Sequence, residues 1–186
     1  MIRLVRPHAA LQSSWLEAAD EFGDAHRDGD GDLVEEADEG FAGAAFTRAD
    51  LETPEGFAAL VARRLEMERE DAPRPAGRVP CSFFWVVDDT EPTTYLGSLA
   101  VRHRLTPWLT DFGGHIGYSV RPSARRRGIA TTALRLGLEE AGRLGIDPVL
   151  LTCDVTNDTS RRVIERNGGL FEDVRGATRR YWVPVP

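Results

Sequence analysis

The stretch Arg125-Arg126-Arg127-Gly128-Ile129-Ala130 lies between a segment with the period of a strand and a segment with the period of a helix. Before it, residues 115–120 alternate apolar side chains with small or polar ones, which predicts a strand. After it, apolar residues recur every three or four positions as far as Ala141, which predicts an amphipathic helix. The start of a helix has unpaired N–H groups and the positive end of the helix dipole. The stretch is therefore predicted to bind an anion such as a diphosphate.

The composition of this turn narrows the ways in which a phosphate could be held. Its spacing differs from the G-x-G-x-x-G of dinucleotide-binding folds and from the P-loop, and the chain contains no lysine. Backbone N–H groups and arginine side chains are then the predicted donors. A solvated arginine-rich turn would give the same six residues, so the stretch alone leaves both interpretations open.

A second motif begins at Asn157-Asp158-Thr159-Ser160 and continues as a short helical pattern to Gly168-Gly169. It fits the pattern N-x-x-[SA]-x-x-[LV], and residues 125–130 fit [RQ]-x-x-G-x-[GA]. In this order, around a helix and a strand at residues 149–154, the two motifs resemble the signatures of the GNAT superfamily of N-acetyltransferases. The resemblance covers residues 79–186. Its details look like a bacterial branch of predicted acetyltransferases without an assigned substrate.

The resemblance implies an α/β (α+β) fold with a mixed, mostly antiparallel, twisted sheet of about seven strands and helices on both faces. The element order read from the sequence, β-α-α-β-β-β-α-β-α-β-β, agrees with this expectation. Residues 1–186 are predicted to form a single domain. Residues 1–78 would lie on the acceptor side, and residues 79–186 would bind acetyl-CoA. The acidic loop at residues 24–40 is interpreted as solvated or, alternatively, as a lid over the acceptor site.

The resemblance also implies acetyl-CoA as the co-substrate. In the family, backbone groups of the fourth strand hold the pantetheine arm and the thioester, and the arginine-rich turn holds the pyrophosphate. The asparagine of the second motif is expected to anchor the cofactor and the strand-to-helix junction. The predicted cofactor-binding residues are Tyr118, Ser119, Val120, Arg125, Arg126, Arg127, Gly128, Ile129, Ala130, Thr131 and Asn157.

Two residues are candidates for the proton transfers that amide formation from a thioester requires. His115 lies near the place where the family often has a glutamate base, and an imidazole could take the proton of the amine. A structural histidine, with His103 as the base, is the alternative. Many members have a tyrosine acid where this chain has Ile164, so Ser160 is the predicted acid. A hydroxyl that only bonds the helix start is its alternative.

Composition and charge limit the classes of function. A chain of 186 residues with 41% hydrophobic and 28% charged residues suits a folded domain. The net charge of −7 is unevenly divided, since residues 1–100 have 9 Arg and 21 acidic residues and residues 101–186 have 14 Arg and 9 acidic residues. The acidic half predicts attraction of a cationic acceptor or, alternatively, only a solubilising surface. Nucleic-acid binding is disfavoured because no basic stripe interleaved with aromatic residues is present.

Membrane and metal binding are not predicted. No segment approaches the roughly 18 consecutive apolar residues of a membrane span, and residues 1–4 lead into polar sequence, so a cytoplasmic protein is expected. A calcium-loop register from Asp28 to Glu39 has Leu33 where the sharp turn requires glycine.

Three functions are compatible with the sequence. The first is an N-acetyltransferase that acts on the primary amine of a small cationic or amino-acid-like acceptor by direct attack, without a covalent intermediate. The second is an acetyltransferase for a protein N-terminus or side chain, and the third is a non-catalytic acyl-CoA-binding module. A homodimer is compatible with all three.

Overall fold

The computed structural model describes residues 1–30 and 46–186 of the chain. Its strands are β1 (Ile2–Val5), β2 (Cys81–Asp88), β3 (Gly97–Arg102), β4 (Ile116–Val120), β5 (Val149–Asp154), β6 (Leu170–Arg175) and β7 (Thr178–Val183). Its α-helices are α1 (Gln12–Phe22), α2 (Arg48–Glu52), α3 (Pro54–Glu66), α4 (Ile129–Arg143) and α5 (Asp158–Arg166). The predicted class and the predicted order of strands are confirmed, and α2 is a short helix that the sequence analysis did not predict. Within the described residues, no helix has the length and apolar character needed to cross a bilayer.

The seven strands form two sheets rather than one. The first sheet has the order β1-β2-β3-β4, the second has the order β5-β7-β6, and the strand pairs are antiparallel. In the first sheet, Leu99 of β3 lies opposite Tyr118 of β4, and Ala100 lies opposite Gly117. Strands β4 and β5 are therefore edge strands, and the two sheets meet along them.

Helices cover both faces of the first sheet, as predicted. Helix α4 packs on the face to which Leu99 points, and a Cβ atom at Gly137 would lie 2.6 Å from Leu99 Cδ1. Glycine at this position therefore allows the helix to approach the sheet closely. Successive residues of a strand point to opposite faces, so Phe84 packs on the α4 side and Trp85 on the other side. There Trp85 packs with aromatic residues of α1 and α3.

Asp30 is buried within the segment that the composition predicts to be a solvated acidic loop. Its carboxylate accepts hydrogen bonds from Trp15 Nε1 (2.6 Å) and Arg64 Nε (3.2 Å), and its carbonyl oxygen accepts another from Arg64. Arg27 is buried too, with its guanidinium group 4.9 Å from the centre of the Trp15 ring. The prediction of a solvated loop is therefore wrong for Arg27 and Asp30. Residues 31–40, and with them most of the proposed lid and of the calcium-loop register, lie outside the described residues.

Candidate active site

Strands β4 and β5 are joined at one point, and a cleft opens beyond it. The His115 N–H group donates to the Leu150 carbonyl oxygen (2.7 Å), and the Leu150 N–H group donates to His115 Nδ1 (2.9 Å). In the described part of the chain, no strand ladder continues this pairing. The cleft has a volume of about 1510 Å³. Pockets for one small ligand usually have roughly 300 to 1,000 Å³, so this cleft has room for two substrates.

His115 has a structural role at the closed end of the cleft, which argues against the prediction that it is the catalytic base. The residue is only 7% exposed, and it does not line the cleft. Because Nδ1 accepts the Leu150 N–H group, Nε2 carries the proton in the neutral ring, and no lone pair is left for a substrate proton. Burial, with a smaller contribution from Arg102, lowers the pKa of His115 to about 4. The alternative base, His103, bonds Ser82 Oγ (2.9 Å) and does not line the cleft either.

The backbone of the arginine-rich turn leaves the start of α4 open. Arg126 (φ 62°) and Gly128 (φ 77°) both adopt the left-handed conformation, which is unfavourable for an arginine. Gly128 directly precedes α4, and apart from its own atoms and those of its two chain neighbours no described atom lies within 4 Å of the position that its Cβ atom would take. The N–H groups in the first turn of α4 are therefore accessible, and the helix dipole favours an anion there.

The structure brings nearly all of the predicted cofactor-binding residues to this cleft. Ten of the eleven line it, and the exception is Arg127, which is exposed elsewhere on the turn. Arg162 and Arg166 of α5 also line the cleft, and the sequence analysis did not select them. Their spacing of four residues places them on one face of the helix that begins in the second motif. This spacing is the sequence signal that could have identified them. They add positive charge to the same cleft as the start of α4.

The Ser160 hydroxyl group contacts the hydroxyl group of Tyr118, which the sequence did not indicate. The N–H group of Ser160 donates to Asn157 Oδ1 (2.9 Å), so Asn157 caps α5. Ser160 Oγ lies 2.8 Å from Tyr118 Oη, and both residues line the cleft. Burial raises the pKa of Tyr118, so its hydroxyl group remains protonated. Tyr118 was predicted to act through its backbone; its side chain is a further candidate.

The segment of residues 26–30 contributes two side chains to the cleft wall. Gly29 packs closely on β4, since a Cβ atom there would lie 2.8 Å from the Gly117 carbonyl oxygen. His26 and Asp28 line the cleft, and His26 Nε2 lies 3.3 Å from Asp28 Oδ1. His26 is the only histidine among the described residues of the lining. The buried contacts of Asp30 hold this segment in place.

The sequence matches the model of the acetyltransferase (GNAT) domain family over residues 26–169. The chain belongs to this family. The predicted family is thereby confirmed, together with the predicted class of enzyme, an acyltransferase with acetyl-CoA as co-substrate. A comparison with curated protein sequences gives no significant match.

Solved structures with the same fold have low sequence identity to this chain. The microcin C7 self-immunity acetyltransferase MccE, in complex with acetyl-CoA and AMP, has a TM-score of 0.60 and 14% identity, with 99% of this chain and 92% of that chain covered. The ribosomal-protein-S5-alanine acetyltransferase of Vibrio fischeri has a TM-score of 0.62 and 15% identity, with 99% and 92% covered. The N-acetyltransferase PseH of Campylobacter jejuni, in complex with acetyl-CoA, has a TM-score of 0.56 and 11% identity, with 100% of both chains covered. These likenesses show the fold.

Proposed function

We propose that this chain transfers the acetyl group of acetyl-CoA to the primary amine of a small acceptor. The observation that carries the proposal is the continuity of the cleft, which is lined by the open start of α4, by β4 and by the Tyr118–Ser160 pair. The pyrophosphate would bind the N–H groups of residues 126–130, and the pantetheine arm would follow β4. That MccE and PseH were solved with acetyl-CoA supports the proposal.

The reaction needs one bond to form, one to break and one proton to move. The amine nitrogen attacks the thioester carbonyl carbon, the carbon–sulfur bond breaks, and the CoA thiolate leaves. The nitrogen loses a proton and the thiolate gains one, so an amide and free CoA result. The groups to identify are a base for the amine and a donor near the sulfur.

For the base we propose His26, oriented by Asp28. An imidazole has an ordinary pKa close to neutral, and a neighbouring carboxylate can hold the ring in place. The two side chains line the cleft 3.3 Å apart, and the backbone carbonyl oxygen of Asp28 accepts a hydrogen bond from Ser98 Oγ (3.3 Å). The carboxylate would also attract the acceptor while its amine is still an ammonium ion.

Replacing His26 and His115 is expected to give opposite results. His26→Ala should lower kcat about a hundredfold near neutral pH and remove the acidic limb of the pH profile, because the base is lost. His115→Asn should keep the wild-type kcat and the acidic limb of the pH profile. Asn Oδ1 can accept the Leu150 N–H group, as His115 Nδ1 does. Because the pKa of His115 is about 4, its ring is already deprotonated near neutral pH and does not cause the limb. Steady-state kinetics across pH provide the measurement. An acidic limb that persists in His26→Ala and disappears in His115→Asn would reverse the assignment.

For the leaving group we propose that Tyr118 and Ser160 donate a hydrogen bond to the developing thiolate. A thiol has an ordinary pKa near 8.5, whereas burial raises the pKa of Tyr118 above its already higher value. Complete proton transfer from the phenol to the thiolate would therefore be uphill. Stabilisation of the charge by a fixed donor is the more effective role, and water can supply the proton afterwards.

The Tyr118→Phe variant is expected to have a kcat about tenfold to a hundredfold lower, with acetyl-CoA affinity nearly unchanged. Ser160→Ala should have a smaller effect, because Tyr118 keeps its own hydroxyl group. Because the two hydroxyl groups are 2.8 Å apart and act together, the double variant should lose less than the product of the single effects. Binding and turnover are measured separately, by calorimetry and by thiol release. Full activity in the double variant would remove the pair from the mechanism.

Amine-dependent release of free thiol tests the proposed function itself. Protein, acetyl-CoA and a panel of primary amines are mixed, and free CoA is measured with a thiol reagent. We expect release to require an amine and to match the amount of acetylated product found by mass spectrometry. Binding of acetyl-CoA without release, for small amines and for peptides with a free N-terminus, would instead identify a non-catalytic acyl-CoA-binding module.

A further inference from the structure

Helix α5 borders the cleft next to the start of α4, and two of its arginine side chains line the cleft. We propose that these residues, Arg162 and Arg166, bind the 3′-phosphate of CoA, a role that rests on the proposed function, in which the start of α4 binds the diphosphate. CoA and dephospho-CoA have the same diphosphate, so the start of α4 gives no preference between them. The two arginines of α5 make the protein select CoA.

One face of α5 lines the cleft. Four of its residues do so at positions i, i+3, i+4 and i+7, the spacing of a single helix face: Thr159, Arg162, Val163 and Arg166. The rotation of the helix is fixed by the burial of Val163 and Ile164 in the core. Four residues of α-helix rise about 6 Å, so two arginine side chains at this spacing can contact one phosphate group.

The end of α5 is joined directly to the first turn of α4. Asn167 Nδ2 donates hydrogen bonds to the carbonyl oxygens of Thr131 (3.3 Å) and Val163 (2.8 Å). Thr131 is the third residue of α4 and lines the cleft, and Arg166 immediately precedes Asn167. In CoA, a single ribose separates the 5′-diphosphate from the 3′-phosphate. A diphosphate at the start of α4 therefore brings the 3′-phosphate to its immediate surroundings, where α5 carries its two arginines.

The acidic residues of α5 are paired with a different arginine. Arg161 Nε donates to Asp158 Oδ1 (3.1 Å), and Arg161 Nη1 donates to Glu165 Oε2 (3.1 Å). Arg162 and Arg166 are exposed, and neither has an ion pair or a side-chain hydrogen bond with any residue that the structure describes. Their positive charges are therefore available to a ligand in the cleft.

A phosphate monoester is the group of CoA that suits two such arginines best. It carries a charge of about −1.5 to −2 at neutral pH, and its oxygens match the planar N–H donors of a guanidinium group. Since both arginines are exposed, salt should weaken the attraction. The contribution of α5 to affinity is then expected to fall as the ionic strength rises.

Equilibrium binding of CoA and dephospho-CoA tests the proposal without any turnover. The two probes differ only in the 3′-phosphate, and each is titrated into the protein in a calorimeter at low ionic strength. We expect CoA to bind about tenfold tighter than dephospho-CoA, because only CoA forms charge-assisted hydrogen bonds with α5. This ratio should decrease when the titrations are repeated at high salt.

The double variant Arg162→Gln with Arg166→Gln should bring the ratio close to one by weakening CoA alone, with the affinity for dephospho-CoA nearly unchanged. Arg135→Gln is the matched control and should keep the ratio, because Arg135 is exposed on α4, pairs with Glu139 and does not line the cleft.

Equal binding of the two probes to the wild type, or a preference for CoA that survives in the double variant, would overturn the inference while leaving the proposed function in place. A double variant that weakens both probes by the same factor would overturn it too, since the arginines would then not read the 3′-phosphate. If neither probe binds the wild type, the proposed function is contradicted and this inference with it.

Discussion

Replacement of Gly128 by glutamate is expected to abolish acetyl-CoA binding in a protein that still folds. The φ angle of Gly128 is 77°, and the space around its missing side chain is open, so a glutamate can be accommodated at the cost of some backbone strain. Its carboxylate would lie at the start of α4, where the pyrophosphate is proposed to bind. The new negative charge would take the place of the ligand and repel it. We expect the dissociation constant to rise a hundredfold or more, which corresponds to about 2.7 kcal/mol or more.

The control for this variant is Gly145→Glu. Gly145 also has a left-handed φ angle (75°) and open space around its Cβ position, but it follows α4 and does not line the cleft. The two variants therefore have equal charge and similar strain. Calorimetric titration with acetyl-CoA should show binding in Gly145→Glu and none in Gly128→Glu, with equal circular dichroism. Unchanged affinity in a folded Gly128→Glu protein would remove the pyrophosphate from the start of α4.

The second large effect is expected for Asp30→Ala, which should lower the free energy of unfolding by about 3 to 5 kcal/mol. Asp30 is fully buried and bonds Arg64, itself 6% exposed, and the indole of Trp15. Alanine would leave a buried guanidinium group without its carboxylate and an indole N–H group without its acceptor. Urea unfolding, followed by tryptophan fluorescence, gives the change as a shift of the midpoint at a constant m-value.

Two further variants show whether the loss comes from the unpaired charge. Asp28→Ala removes an exposed carboxylate two residues away and should change stability by less than about 0.5 kcal/mol. The double variant Asp30→Leu with Arg64→Met replaces both partners by apolar groups and should recover much of the stability. If Asp30→Ala is as stable as the wild type, the buried network does not hold the segment that carries His26 and Asp28.

The sequence was most informative where the determinants are local. The turn at residues 125–130 and the face of α4 depend on neighbouring residues, and the structure has both as predicted. The division into two sheets was not predictable from the sequence. It depends on whether β5 pairs with β4 along its length, and it does not. The contact of His115 with Leu150 was not predictable either, since Leu150, which bonds its ring, is 35 residues away in the sequence.

The remaining differences also come from contacts between distant segments. Tyr118 and Ser160 are 42 residues apart, and only the packing of α5 beside β4 brings their hydroxyl groups together. Asp30 belongs to a stretch whose average composition is that of a solvated loop, and an average does not identify the one carboxylate that is buried. The sequence predicts only that Arg102 is a strand residue before a turn. Its position beside Gly117 depends on the pairing of β3 with β4.

A crystal structure of the protein with CoA is the most direct test of the proposed site. We expect the diphosphate oxygens to accept hydrogen bonds from the N–H groups of residues 126–130, the pantetheine arm to follow β4, and the sulfur to lie within hydrogen-bonding distance of Tyr118 Oη or Ser160 Oγ. A diphosphate bound away from the start of α4, or a sulfur remote from both hydroxyl groups, would contradict this assignment of the cleft.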